Sequence, residues 1–343
     1  MRLVNRKLQG VLALGAVAAL ALGGSGPARA ETDTIRIAQQ FGIGYLPLQM
    51  MREHNLIEKH AEQQGLDGVK TEWLQFSGGS AMNDALLSGN LDFASGGVGP
   101  LLTIWDRTKG SLDVKGVACL NLMPLYLNTN RAEVKELNDF SKDDRIALPS
   151  VKVSIQARTL QMALEQAGMP YDALDDITVS MKHPDGVAAL TSGGTEITGH
   201  FTSPPFMYQE LRNQDPKIHK VISSYEVLGG PSTFNCVWAP AKFREDNPKA
   251  YQAFLGALEE AMDMIEADPA AAAGVYVTQN NSKEDPADVQ AMIEDPEIEF
   301  TTTPANSMKC FGQPVSKGQS AALLFLGCAT WVVNLRMFGF VEI

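Results

Sequence analysis

Residues 69–107 read VKTEWLQFSGGSAMNDALLSGNLDFASGGVGPLLTIWDR, and their rhythm decides the fold class. A strand-like run, Val69 to Phe76, enters the turn Ser77-Gly78-Gly79-Ser80, and Ala81 to Leu87 restarts as a helix. The apolar piece Leu91-Asp92-Phe93-Ala94 then ends at Ser95-Gly96-Gly97-Val98-Gly99-Pro100, ahead of a helix from about Leu101 to Arg107. Strand, glycine turn and helix in repeated order mark an α/β sheet covered by helices.

The pattern extends in both directions. Upstream, Thr34 to Gln39 reads as a strand, Phe41-Gly42-Ile43-Gly44-Tyr45-Leu46-Pro47 breaks it, and Leu48 to Ala61 reads as one helix. Downstream, strand Arg145 to Leu148, turn Pro149 to Ser154 and helix Ile155 to Ala167 repeat the unit. Strand Ile177 to Met181, a helix from about Asp185, strand Ile197 to Phe201 and a helix from Pro204 to Arg212 follow. The natural division is one lobe over 31–121 and 225–309 and a second over 122–224, with crossings near Ala118–Leu122 and Tyr225–Gly230.

The amino terminus narrows the setting. Arg2, Arg6 and Lys7, an apolar stretch from Val11 to Leu22, and Ala28-Arg29-Ala30 form a secretory signal peptide over 1–30, with cleavage expected before Glu31. The apolar stretch is shorter than the roughly 20 residues a spanning helix needs. No Cys near the cleavage point offers a lipid anchor. The expectation is a soluble periplasmic protein, away from ready ATP and NAD. Removing the leader leaves 24 Lys+Arg against 40 Asp+Glu, a charge of −16. Such a surface repels phosphate backbones, so no nucleic-acid partner is expected.

Catalytic motifs are missing. The chain contains no G-x-S-x-G elbow, no H-E-x-x-H and no G-x-x-x-x-G-K-[ST], and Pro47 stands where a dinucleotide fingerprint after Gly42-Ile43-Gly44 needs its third glycine. No metal, catalytic residue or cofactor is expected. Cys119, Cys236, Cys310 and Cys328 form no C-x-x-C unit; three pairings are open, and buried small apolar side chains is the plainer reading of Cys119 and Cys236. His200, before Phe201-Thr202-Ser203 at a strand's carboxyl end, reads as a structural histidine.

Ligands of open α/β sheets bind beyond the carboxyl ends of the strands, and a glycine turn opening a helix offers unpaired N–H groups to an anion. Ser77-Gly78-Gly79-Ser80 is the best such turn, with two hydroxyls beside glycines that let a ligand reach the backbone. An ordinary turn with Ser80 as helix cap is the bland alternative. Gly97-Val98-Gly99-Pro100 is a weaker second candidate.

At these turns the chain resembles the substrate-binding proteins of ABC importers for nitrate, sulfonate, taurine and related compounds. The likeness rests on Gly44-Tyr45-Leu46-Pro47, Phe76-Ser77-Gly78-Gly79-Ser80, residues 87–96, Gly193-Gly194-Thr195-Glu196-Ile197 and His200-Phe201-Thr202-Ser203-Pro204-Pro205-Phe206. It implies a type II periplasmic binding protein fold: two α/β lobes joined by a two-strand hinge. By the same resemblance Gln40, Tyr45, Ser77 to Ser80, and Val98, Gly99 and Pro100 face the cleft from the first lobe, and Ser154, Gln156, Phe201 and Thr202 from the second. Phe234 and Trp238 supply either an apolar wall or core packing. The implied role is non-enzymatic: a monomer that captures a small organic anion or zwitterion, such as an aliphatic sulfonate, and delivers it to a permease. The alternatives are an exported hydrolase, a binder of a pyrimidine-type or other neutral solute, and a periplasmic sensor domain on the same fold. A related fold in thiamine-pyrimidine synthesis uses adjacent cysteines, which this chain lacks.

The segment 310–343 departs from the resemblance. Ala321 to Leu335 is almost unbroken apolar sequence where such proteins carry an amphipathic closing helix, which suggests a changed reading frame near Cys310. Resequencing the coding region decides that point.

Overall fold

Ile35 and Ile37 alternate toward the interior from strand β1 (Thr34–Gln39), and that buried face fixes its pairing. The structure, a computed structural model, describes residues 30–305. The leader and the apolar run Ala321 to Leu335 lie outside the described residues.

After β1 come α1 (Leu46–Glu53), α2 (Leu56–Gln63), β2 (Lys70–Gln75), α3 (Gly79–Leu87), β3 (Ala94–Gly97), α4 (Val98–Arg107) and β4 (Val114–Cys119). The middle holds β5 (Tyr126–Thr129), β6 (Ile146–Leu148), α5 (Ile155–Gln166), β7 (Thr178–Ser180), α6 (His183–Ser192), β8 (Gly199–Thr202), α7 (Phe206–Leu211), β9 (His219–Ser223) and α8 (Ser224–Leu228). The last elements are β10 (Asn235–Pro240), α9 (Ala241–Asp246), α10 (Pro248–Ala267), α11 (Pro269–Asn280) and α12 (Pro286–Ile293).

These strands build two separate layers. β1 and β2 run parallel, Ile37 bridges Phe93 just ahead of β3, and β10 lies antiparallel between β3 and β4. β5 to β9 form a second, mixed sheet in the order β7-β6-β8-β5-β9. The first layer packs its apolar face on α1, α2 and α10: Phe93 stacks on Phe254 at 4.0 Å and meets Phe243 edge-on at 4.9 Å. Cys119 and Cys236 sit opposite each other on β4 and β10, buried, with sulfurs 3.3 Å apart. Among the described residues no helix is long and apolar enough to cross a membrane.

The links between the layers are paired segments. Leu120 N–H donates to the Asn235 carbonyl at 2.8 Å, and Phe234 N–H to the Asn121 carbonyl at 3.0 Å. On the other side, Leu122 and Glu299 exchange backbone bonds of 2.8 and 2.9 Å, so a third segment, 299–302, joins the expected two.

Two expectations are corrected. The helix expected over Leu48 to Ala61 is two helices, because Asn55 adopts a left-handed conformation at φ 48° that ends one and starts the other. The crossing expected at Tyr225–Gly230 is instead helix α8, capped by Ser223 and Glu226 and packed on α5 and β9. The return link runs after it, through residues 229–234.

Candidate functional site

The starts of α3, α4, α5 and α6 converge on one cavity. It is lined by Gly79 from α3, Gly97 and Pro100 at α4, Ser154, Ile155 and Gln156 at α5, and His183, the first residue of α6. Gln40, Phe41 and Tyr45 after β1, with Pro149 and Phe234, complete the wall. The cavity holds about 300 Å³ of empty space, its open mouth included.

Each helix start exists for a local reason. Ser154 Oγ accepts from Ala157 N–H at 3.2 Å and caps α5. α3, α4 and α6 carry no side-chain cap bond. At these starts Val98 N–H donates to the Phe234 carbonyl at 3.2 Å, Ser80 N–H reaches Ser150 Oγ at 3.4 Å, and Pro100 and Pro184 have no N–H. The helix starts therefore act on the cavity chiefly through the partial positive charge of their dipoles. Gln40 donates to the Ser95 carbonyl at 3.3 Å and hydrogen-bonds the Tyr45 hydroxyl. Burial pushes the Tyr45 phenol far above its ordinary value, so it stays a neutral donor.

The glycines of the candidate turns have a use beyond the ligand. A Cβ on Gly78 would lie 2.3 Å from the Pro149 carbonyl oxygen, one on Gly97 2.6 Å from Ile155 Cγ2, and one on Gly99 2.6 Å from the Val153 carbonyl oxygen. All three contacts run from turns of the first layer to the turn after β6 and the first residue of α5 in the second. Gly78 is in ordinary extended backbone at φ −174°, so close approach rather than an unusual dihedral requires glycine. Gly79 faces Pro100 instead, its notional Cβ 2.4 Å from Pro100 Cγ.

Of the residues expected at the cleft, Gln40, Tyr45, Gly79, Pro100, Ser154 and Gln156 border the cavity. Gly78, Ser80 and Gly99 sit at the contact between the turns, where Ser80 N–H approaches Ser150 Oγ at 3.4 Å. Ser77 points to solvent and Val98 packs partly against the core. Phe201 is fully buried in the core, and Thr202 is buried beneath the wall with its hydroxyl 2.9 Å from His183 Nδ1. Gly78, not Ser80, occupies the cap position of α3. Phe234 lines the cavity, whereas Trp238 lies in the core. His200 is fully buried between His183 and Glu210.

Phe41, Pro149, Ile155 and His183 were not expected at the wall, and Gly97 was expected only within the weaker candidate turn. For His183 a signal existed: Pro184 directly after it marks a first helical turn and places His183 at the mouth of a helix. Burial, with a smaller effect from neighbouring His200, holds the His183 imidazole well below its ordinary range, so it is neutral. Among the described residues no group of His, Cys, Asp and Glu is placed to hold a metal ion.

Comparison with known proteins gives the chain its relatives. The model of the NMT1-like family matches residues 28–278. No curated protein sequence matches the chain. Among solved structures, the alkanesulfonate-binding protein SsuA from Xanthomonas axonopodis pv. citri bound to MOPS superposes with a TM-score of 0.61 at 17% identity, over 90% of this chain and 95% of that one. The periplasmic aliphatic sulphonate binding protein SsuA from Escherichia coli gives 0.58 at 18%, covering 89% of each chain. The periplasmic nitrate-binding protein NrtA from Synechocystis PCC 6803 gives 0.56 at 17%, over 72% of this chain and 66% of that one. At such identities the likeness is one of fold, the two-lobed periplasmic binding protein fold.

Proposed function

The chain belongs to the NMT1-like family, and from that premise we propose that it is a non-enzymatic solute-binding protein of an ABC importer, exported to the periplasm, which holds a small organic anion or zwitterion between its lobes. The lobes are residues 31–121 with 235–305, and residues 122–228, with the return link through 229–234. The observation that carries the reading is the convergence of four helix starts, three without a side-chain cap, on one small cavity. A helix start favours a negative group by about 0.3–1 kcal/mol at exposed sites, and by more where partly buried. The family resemblance and the sulfonate- and nitrate-binding fold relatives support the same ligand class. The chain's surface charge opposes it weakly, since salt screens beyond about 8–10 Å.

Thermal-shift screening across aliphatic sulfonates, nitrate, amino acids and neutral pyrimidines tests the proposal. An anion or zwitterion is expected to raise the melting temperature. A neutral ring that does so while every anion leaves it unmoved sinks the anionic reading. Phe41, Tyr45 and Phe234 in the wall favour that second reading, because aromatic faces suit a planar heterocycle.

A further inference from the structure

Behind the cavity wall runs a chain of buried titratable groups whose hydrogen-bond partners among the described residues include no arginine or lysine. Glu210 on α7 is fully buried; its Oε1 lies 2.5 Å from His200 Nδ1 and its Oε2 accepts from Asn128 Nδ2 at 2.9 Å. His200 Nε2 lies 3.0 Å from His183 Nδ1, which is also 2.9 Å from the Thr202 hydroxyl. The opposite edge of the His183 ring, Nε2, is 3.5 Å from the amide of Gln156, itself part of the cavity wall. The packing is built for this chain: a Cβ on Gly186 of α6 would fall 2.5 Å from His200 Cε1.

Hydrogen-bond direction fixes what the chain can present. With Glu210 as a carboxylate, which only accepts, His200 Nδ1 carries the proton between them. A single proton then bridges His200 Nε2 and His183 Nδ1. If His200 is neutral, that proton belongs to His183 Nδ1, and His183 Nε2 is left as an acceptor beside the Gln156 amide N–H at the cavity wall. If one more proton enters, His200 donates from both nitrogens, His183 Nδ1 accepts, and His183 Nε2–H becomes a donor. The first state leaves the negative charge of Glu210 uncompensated behind the cavity; the second cancels it with the His200 imidazolium. An entering oxyanion is repelled by the first and accepted by the second.

We infer that His183 is a ligand-contacting residue and that the Glu210–His200–His183 chain takes up one proton from the medium when an oxyanion binds, which replaces the arginine the cavity lacks. This rests on the anionic reading of the same site. His200 and Glu210 act through His183 and are positioning residues. Other titratable groups on the surrounding elements have their own partners. On α6, Lys182 pairs with Asp185 at 3.4 Å. On α7, Arg212 pairs with Glu284 and Tyr208 meets Tyr126 of β5 edge-on. On β9, His219 bonds the Val134 carbonyl and Lys220 pairs with Glu226.

Titration calorimetry with methanesulfonate, taurine, nitrate and acetate, at one pH in two buffers of different ionisation enthalpy, counts the protons. The full chain should take up close to one proton per anion where the free relay is unprotonated, and there the dissociation constant should rise by up to about tenfold per pH unit. His183→Gln should bind about tenfold or more weakly with no proton uptake. Nitrogen-15 spectra of the unmutated protein should move the His183 proton from Nδ1 to Nε2 on binding, a readout that survives if a substitution at buried His200 does not fold. Anion binding with no proton uptake from pH 6 to 8, an unmoved tautomer, or unchanged affinity in His183→Gln overturns the relay and leaves the proposed function standing. Binding of none of the four while a neutral solute binds overturns the anionic reading, and the relay with it.

Discussion

Gly78 shows how much one missing methyl decides. Its Cα faces the Pro149 carbonyl and the Ser150 hydroxyl, where a Cβ would lie 2.3 and 2.5 Å away. Backbone cannot yield by that much while the turns stay in contact, so an added side chain opposes closure rather than folding of either layer. Gly78→Ala should therefore weaken the anion identified by screening about tenfold, roughly 1.4 kcal/mol. The ligand-free melting temperature should stay nearly unchanged. Calorimetry beside a thermal melt separates the two quantities; a large loss of ligand-free stability with intact affinity would mean that Gly78 is required for folding. From sequence the same glycine reads as an opening for the ligand, because local pattern shows where a side chain is absent but not which partner comes near.

At the scale of elements, the α/β alternation was legible because period and turn chemistry are local. β2, α3, α4 and α5 fall within a few residues of where the glycine turns place them. The break between α1 and α2 was hidden because Asn55 sits inside an apolar period that continues across it. Asparagine tolerates the left-handed region, and a β-branched residue there costs about 1–2 kcal/mol. Asn55 is exposed, so substitution removes no buried contact. Asn55→Val should lower stability by about that amount in chemical denaturation, and Asn55→Gly should stay close to the parent. Equal stability of the valine variant would show that the two helices merge without strain. The histidine relay was less legible still: Asn128, His183, His200 and Glu210 come from β5, α6, β8 and α7, and no spacing in the chain announces their meeting. His200 alone stood out, correctly as a buried and hydrogen-bonded residue, without the partners that give it a use.

Across the whole molecule, the two strand layers touch through the turns beside the cavity and are linked through backbone-paired segments at residues 120–122, 233–235 and 299–302. Rotation about such segments needs changes in only a few backbone dihedrals, whereas the cores on either side must move as rigid bodies because packed interiors do not deform continuously. The contacts of Gly78, Gly97 and Gly99 with residues 149–155 are those of a closed form. Beyond the turns, Ile43 N–H donates to the Pro204 carbonyl at 3.2 Å and Arg212 pairs with Glu284 at 2.7 Å across the same division. A ligand bridging both sides adds to these contacts by its differential affinity for the closed form. Small-angle scattering should accordingly give a smaller radius of gyration at saturating ligand than without it, and Gly78→Ala should retain the larger value at the same ligand concentration. The third segment, 299–302, adds backbone pairing to the link and limits how far the lobes separate, so the change should be a modest contraction and not a gross rearrangement. Identical scattering profiles with and without ligand would identify a rigid protein whose cavity fills without lobe motion, and binding would then have to be explained by access through the open mouth alone.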